Sequence, residues 1–179
     1  MALRPFHTIS VCSGGGGLDL GFEWATGGAA RAVAFVEREA YAAACLVARM
    51  ADSSLAPAPV WDDICTFDGR AWRGAVDCVI GGTPCQDLSV AGKQAGLDGE
   101  RSRLFYQQVR IADECAAPFF AWENVGGAAR ALPAVHAELA RHGYVGATVS
   151  IRASDVGAPH RRRRFFLLAY RRGVRLREL

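Results

Sequence analysis

Short apolar runs rich in β-branched residues alternate along this chain with longer segments whose apolar positions recur at helical spacing. "HTISVC" (7–12) and "RAVAFVE" (31–37) read as strands, and further strand-like runs lie at 76–80, 118–122, 145–151 and 165–170. Helical patterning follows the first run, after a cluster of glycines, through about Trp24, and recurs over 38–50, near 102–115 and near 128–141. The Ser, Ala and Pro residues of "ADSSLAPAP" end the second helix. Strands that alternate with helices predict an α/β domain, its mostly parallel sheet covered by helices on both faces. No internal repeat or linker interrupts the pattern, so residues 1–179 are expected to form a single domain.

With 51% apolar and 22% charged residues, the chain is composed like a soluble globular protein and is long enough to bury a core. Its longest apolar run, "AYAAACLVA" (40–48), falls far short of the roughly 18 residues a spanning helix needs, and "MALRPFHTIS" lacks a signal-peptide core. A cytoplasmic protein with no membrane association is expected. The net charge of +3 conceals an asymmetry, because residues 161–179 hold eight arginines and one glutamate while the rest of the chain is net acidic. That basic end is either a nucleic-acid-binding or anion-binding surface or a solvated arginine-rich tail. Six cysteines, at 12, 45, 65, 78, 85 and 115, include no Cys-x-x-Cys pair and no histidine at ligand spacing. Neither a metal site nor a disulfide framework is expected.

Two glycine-bearing turns change the picture. "VCSGGGGLDLGF" (11–22) places four glycines between the first strand and its helix, where backbone N–H groups and the helix dipole favour a polar or anionic ligand. Glu37 ends the next strand, 20 residues after Gly17, about where an acidic residue meets a ribose diol in nucleotide-binding α/β folds. Together they suggest an adenosine-containing cofactor, against the alternative of a plain tight turn. The dinucleotide fingerprint is not met, since its third glycine would fall at Asp19 or Leu20. The second turn is "GGTPCQDLS" (81–89), where Gly81 and Gly82 can take conformations closed to other residues and Pro84 fixes one torsion beside Cys85. A thiol aimed from just past a strand's carboxyl end stands where open α/β sheets bind ligands.

As an ordered set these motifs resemble the cytosine-5 DNA methyltransferase family, whose cofactor is S-adenosylmethionine. "CSGGGGLDLGFE" is similar to the family's cofactor loop, Glu37 to its ribose-binding glutamate, and Asp63-Ile64 to the pair beside the adenine. "GGTPCQDLSVAG" resembles the Pro-Cys-Gln nucleophile loop, "ENV" (123–125) the Glu-Asn-Val motif, and "ASDVGAPHRRRRFFLLA" (153–169) the last catalytic segment. The resemblance implies a three-layer Rossmann-like methyltransferase fold and cofactor contacts at Ser13, Gly14, Gly16, Gly17, Leu18, Glu37, Asp63, Ile64 and Pro84. It makes Cys85 the nucleophile at cytosine carbon 6, Glu123 the acid at ring nitrogen 3, and Asn124 a holder of the loop or the base amide. Alternation along the strand entering "FFLLA" would put Arg162 and Arg164 on one face, toward the base or Glu123, and Arg161 and Arg163 on the other, toward phosphates. Gln86, Ser89, Lys93 and Gln94 are further candidate nucleic-acid contacts, the last two in a glycine-containing segment (91–100) that resembles a loop closing over a flipped base.

The chain departs from the family pattern at Cys12 (usually phenylalanine), Thr83 (proline), Asp87-Leu88 (Pro-Phe or similar) and His160 (glutamine). It also stops about nine residues after its last predicted strand, where family members continue into a target-recognition domain and a final helix. The expectation is a minimal methyltransferase acting on DNA, or the catalytic subunit of a split enzyme with a second subunit for recognition. A homo-oligomer is a further possible state, and a silent DNA-binding or regulatory remnant and an RNA cytosine-5 methyltransferase are the alternatives. A nucleotide-dependent oxidoreductase would account for the glycines and Glu37, but not for Cys85, Glu123 and the arginines together.

Overall fold

β1 (Phe6–Val11), its last four residues buried, is an interior strand of a seven-stranded sheet in the computed structural model, which describes residues 5–84 and 103–174. The other strands are β2 (Ala30–Val36), β3 (Val60–Trp61), β4 (Cys78–Gly81), β5 (Phe119–Val125), β6 (Tyr144–Arg152) and β7 (Arg163–Arg171), in the order β3-β2-β1-β4-β5-β7-β6. The first five run parallel, and β7 inserts antiparallel between β5 and β6. This is the mostly parallel α/β sheet that the alternating pattern predicts.

Helices α1 (Gly17–Ala25), α2 (Ala40–Ala51), α3 (Arg103–Glu114) and α4 (Leu132–Arg141) cover the sheet. Period-2 alternation along each strand divides the core between the two faces. Ile9, Val11, Val79, Phe120 and Trp122 pack with Phe105, Val109 and Ile111 of α3 and with Val135 and Leu139 of α4. On the opposite face, Cys78, Ile80, Phe119 and Ala121 pack with Leu18 and Phe22 of α1, and Phe35 packs with Leu46 of α2. Over β6 and β7 this second face carries exposed Val145, Val149, Leu168 and Tyr170, with Val145 paired to Tyr170 across the two strands.

Three boundaries differ from the sequence reading. β3 is too short for periodicity to register and exists because Val60 and Trp61 pair with Phe35 and Val36. β5 runs three residues past the apolar stretch 118–122, because β7 supplies partners as far as Val125, so Glu123 and Asn124 belong to the strand itself. The helical pattern near 128–141 starts as a 3-10 turn (Gly126–Ala131) and becomes α4 at Leu132, with Pro133 in its first turn.

Asp19 of α1 is buried; its Oδ2 accepts a hydrogen bond from Ser10 Oγ at 3.0 Å, and its Oδ1 has no partner among the described residues. Burial pushes its carboxyl up to about 6 from an ordinary 3.8, against the opposing hydrogen bonds. The folded state therefore holds this proton more tightly than the unfolded chain does. The resulting stabilisation is full below about pH 4 and is lost as pH rises through about 6, a change of about 3 kcal/mol. In Asp19→Asn that loss disappears: the unfolding free energy of the wild type, relative to the variant, falls by this amount between pH 4 and pH 8 in denaturant titrations.

Candidate active site

The chain turns at the carboxyl end of β1, between neighbours β2 and β4 that are reached by connections on opposite sides, which is the crevice where parallel sheets bind ligands. The turn after β1 is tightly wound, with Cys12, Gly14 and Gly16 at positive φ of 48°, 55° and 74°. Gly16 is favoured by that conformation, and a Cβ there would also press on the side-chain ends of Leu55 and Leu46, 2.6 Å from Leu55 Cδ1. A Cβ at Gly14, Gly15 or Gly17 would meet nothing within 4 Å, so this backbone borders open space. Ser13 Oγ donates to Ser10 O at 3.0 Å and steadies the turn. Glu37 ties the turn to the next one, its Oε2 accepting the Gly14 N–H at 2.7 Å and its Oε1 the Glu39 N–H at 2.8 Å.

A cavity of about 610 Å³ opens here, lined by Cys12, Val36, Glu37, Asp63, Ile64 and Pro84 among others. A second, of about 490 Å³, is lined by Ser13, Gly17, Leu18, Glu123 and Phe166 and shares Cys12 and Gly82 with the first. The two are neighbouring chambers across those two small residues. The pair fits S-adenosylmethionine in its chemistry: the first chamber offers a carboxylate for a ribose diol and apolar Val36 and Ile64 for a flat ring, and the glycine turn that borders the second offers open backbone for a polar tail. Burial pushes the Cys12 thiol up to about 12, with Glu37 and Cys65 adding to the effect. Burial also raises Cys78 and Cys115, so these three remain neutral thiols at physiological pH and none is an activated nucleophile.

At the end of β4, a Cβ on Gly81 would lie 2.6 Å from Val11 Cγ2, and one on Gly82 would lie 3.1 Å from Glu123 Oε2. Thr83 is held twice by β5. Trp122 Nε1 donates to its hydroxyl at 2.9 Å, and Asn124 Nδ2 donates to its carbonyl at 2.9 Å. This explains why threonine stands where the related pattern has proline: the hydroxyl is the acceptor that a buried indole N–H requires. Sequence reasoning missed Trp122, since nothing in a string of residues couples positions this far apart. Thr83→Val leaves that N–H unsatisfied and is expected to cost about 1–3 kcal/mol in unfolding experiments, with Thr83→Ser close to wild type. Cys85, Gln86, Ser89, Lys93 and Gln94 follow this anchored end and lie outside the described residues.

Glu123 faces the second cavity, pairs across the sheet with Phe166, and meets Arg164 Nε through Oε1 at 2.6 Å. Partial burial raises its carboxyl above the ordinary range, and the Arg162 charge opposes that shift. β7 begins at Arg163, so Arg161 and Arg162 lie in the connection before it, yet Arg162 and Arg164 line one surface hollow with Phe166, on a common side. Arg163 packs over Gly126, whose added Cβ would sit 3.6 Å from Arg163 Cβ, while Arg161 and Arg162 are exposed. Asp63 organises its own loop, its Oδ1 accepting the Cys65 N–H at 2.8 Å, and the buried Ile64 side chain forms cavity wall. Glu37, Asp63, Ile64 and Pro84 thus meet at one cavity, and Ser13, Gly17, Leu18 and Glu123 at the next.

Residues 6–178 match the sequence profile of the C-5 cytosine-specific DNA methylases. The Type II methyltransferase M.AquIA of Picosynechococcus sp. is 32% identical over 92% of this chain and 72% of its own length. M.NgoPII of Neisseria gonorrhoeae is 33% identical over 97% of this chain and 50% of its own length. Among solved structures, a putative DNA modification methyltransferase from an E. coli prophage superposes with a TM-score of 0.72 at 24% identity, covering 93% of this chain and 47% of that one. The Entamoeba histolytica methyltransferase EhMeth superposes at 0.76 with 15% identity, covering 94% and 53%. The chain therefore spans about half the length of most of these proteins. Among its described residues, no helix is long and apolar enough to cross a membrane.

Proposed function

Because this chain belongs to the C-5 cytosine-specific DNA methylase family, we propose that it transfers a methyl group from S-adenosylmethionine to carbon 5 of cytosine in DNA through a covalent adduct on Cys85. The observation that carries this reading is the junction of the two chambers, with Glu37 and Asp63 bordering one, Glu123 the other, and Gly82, three residues before Cys85 in the sequence, shared by both. Carbon 5 of cytosine is a poor nucleophile. Addition of the Cys85 thiolate at carbon 6 breaks the ring's aromaticity and places negative charge on the pyrimidine, which a proton on Glu123 at ring nitrogen 3 neutralises. Bound S-adenosylmethionine supplies the electrophilic methyl group that carbon 5 then accepts. Loss of the carbon 5 proton to water re-forms the double bond and expels Cys85. Arg164 stands beside Glu123 and, with Arg162, can bear on the base's carbonyl oxygen once a base enters, while Arg161 and Arg163 offer phosphate contacts.

The catalytic fold holds the 179 residues as one domain in this reading, and the exposed apolar strip of β6 and β7 supports a partner subunit or a second copy. The test is incorporation of labelled methyl from S-adenosylmethionine into mixed-sequence duplex DNA, single-stranded DNA and transfer RNA, alone and with candidate recognition subunits. Labelling of DNA supports the reading. Labelling of transfer RNA alone replaces the substrate, and tight nicotinamide binding without S-adenosylmethionine binding sinks the methyltransferase reading.

A further inference from the structure

We propose that Arg110 is a positioning residue for the cofactor chamber, acting through the loop that carries Asp63 and Ile64; this rests on the cofactor reading above. Beyond the two residues of β3, no strand pairing holds the chain until the 3-10 turn at Gly69–Trp72. The loop has internal order, since Asp63 O accepts the N–H groups of Thr66 and Phe67 at 3.1 Å each. Its place relative to the sheet is fixed in part by the Trp61 Nε1 bond to Thr66 Oγ1 at 3.0 Å and by burial of Ile64 and Phe67 in the core, and in part by α3. Arg110 Nη2 donates to Ile64 O at 2.8 Å and Nη1 to Phe67 O at 3.0 Å. Nη1 also meets Glu114 at 2.8 Å, and Nε donates to Gln107 Oε1 at 2.7 Å. Glu114 Oε2 then accepts the Gly69 N–H at 2.9 Å, and Gly69 sits so close to α3 that a Cβ would lie 2.9 Å from Ile111 O.

One guanidinium and its carboxylate partner thus grip the loop at residues 64, 67 and 69, along the helix that also contributes Leu104 to the same chamber. A planar fork with donors in three directions can do this, whereas a lysine ammonium cannot hold both carbonyls and the carboxylate in the same geometry. Ile64 is a wall of the chamber and Asp63 borders it, so a shift of this loop moves the surface that meets the base of the nucleoside while leaving Glu37 and the glycine turn in place. Arg110 therefore governs recognition of the purine ring in particular.

Calorimetry on the full chain with S-adenosylhomocysteine and with S-inosylhomocysteine, whose purine carries a 6-oxo group and an N1–H in place of the 6-amino group and bare N1, tests this without any turnover. The wild type is expected to prefer the adenosyl compound. Arg110→Met should weaken that compound on the order of tenfold while weakening the inosyl compound much less, so that the preference collapses. Arg110→Lys should fall between, and Glu114→Gln, which keeps the guanidinium, should shift the ratio several-fold in the same direction if Arg110→Met fails to fold. Equal losses for the two compounds, or unchanged dissociation constants in a folded variant, overturn the proposal. A wild type that binds neither compound removes the cofactor reading and the proposal with it.

Discussion

Cys85→Ala is expected to abolish methyl incorporation, lowering it by on the order of 10⁴-fold or more, while S-adenosylmethionine still binds. Loss of a covalent nucleophile removes the step on which the later ones depend, so the effect is far larger than that of a lost contact. Three of the other cysteines cannot substitute, because burial holds the Cys12, Cys78 and Cys115 thiols neutral. Calorimetric binding of S-adenosylmethionine separates a chemical defect from a structural one, since the proposed contacts at Glu37, Asp63 and Ile64 are untouched by the substitution. An alanine variant that keeps near wild-type incorporation would remove the covalent mechanism outright.

Glu123→Gln is expected to lower kcat by about 10²–10³-fold with a smaller change in KM, the signature of a proton needed in the transition state rather than in binding. The amide keeps the size and hydrogen-bonding capacity of the side chain but cannot deliver a proton to ring nitrogen 3. The sign of the pH dependence follows from the acid form being the active one. Burial raises the carboxyl above its ordinary range, so wild-type kcat should be highest below that raised value and fall as pH increases through it. The glutamine variant should lose this limb of the profile. Proton uptake also competes with the 2.6 Å contact to Arg164, which favours the ionised carboxylate; a base carbonyl that draws Arg164 away would ease protonation of Glu123 as the substrate arrives. A variant with unaltered kcat and pH profile would assign the proton to another group.

The positions of the glycine turn after β1, of Glu37 and of the β4 turn were legible in the sequence because each lies at the end of an apolar run, where local chemistry alone marks a strand's end. The alternation of elements likewise foretold a mostly parallel sheet. The extension of β5 to Val125 was not legible, because "ENV" reads as a turn unless the antiparallel partner β7 is known. Nor was the hold of Trp122 and Asn124 on Thr83, or the grip of Arg110 on Ile64 and Phe67, since each joins residues about 40 or more positions apart.

By itself the sequence determined the α/β class, the family resemblance and the residue types available for chemistry, because these depend on short-range periodicity, on glycine and proline torsions, and on motif order. Only the tertiary structure decided which side chains share a chamber, that Glu123 faces Arg164 within the sheet, and that Arg110 of α3 bonds the carbonyls of Ile64 and Phe67. Those outcomes depend on strand order and on burial. Both are properties of the packed chain, in which hydrogen-bond partners and desolvation come from residues distant in sequence.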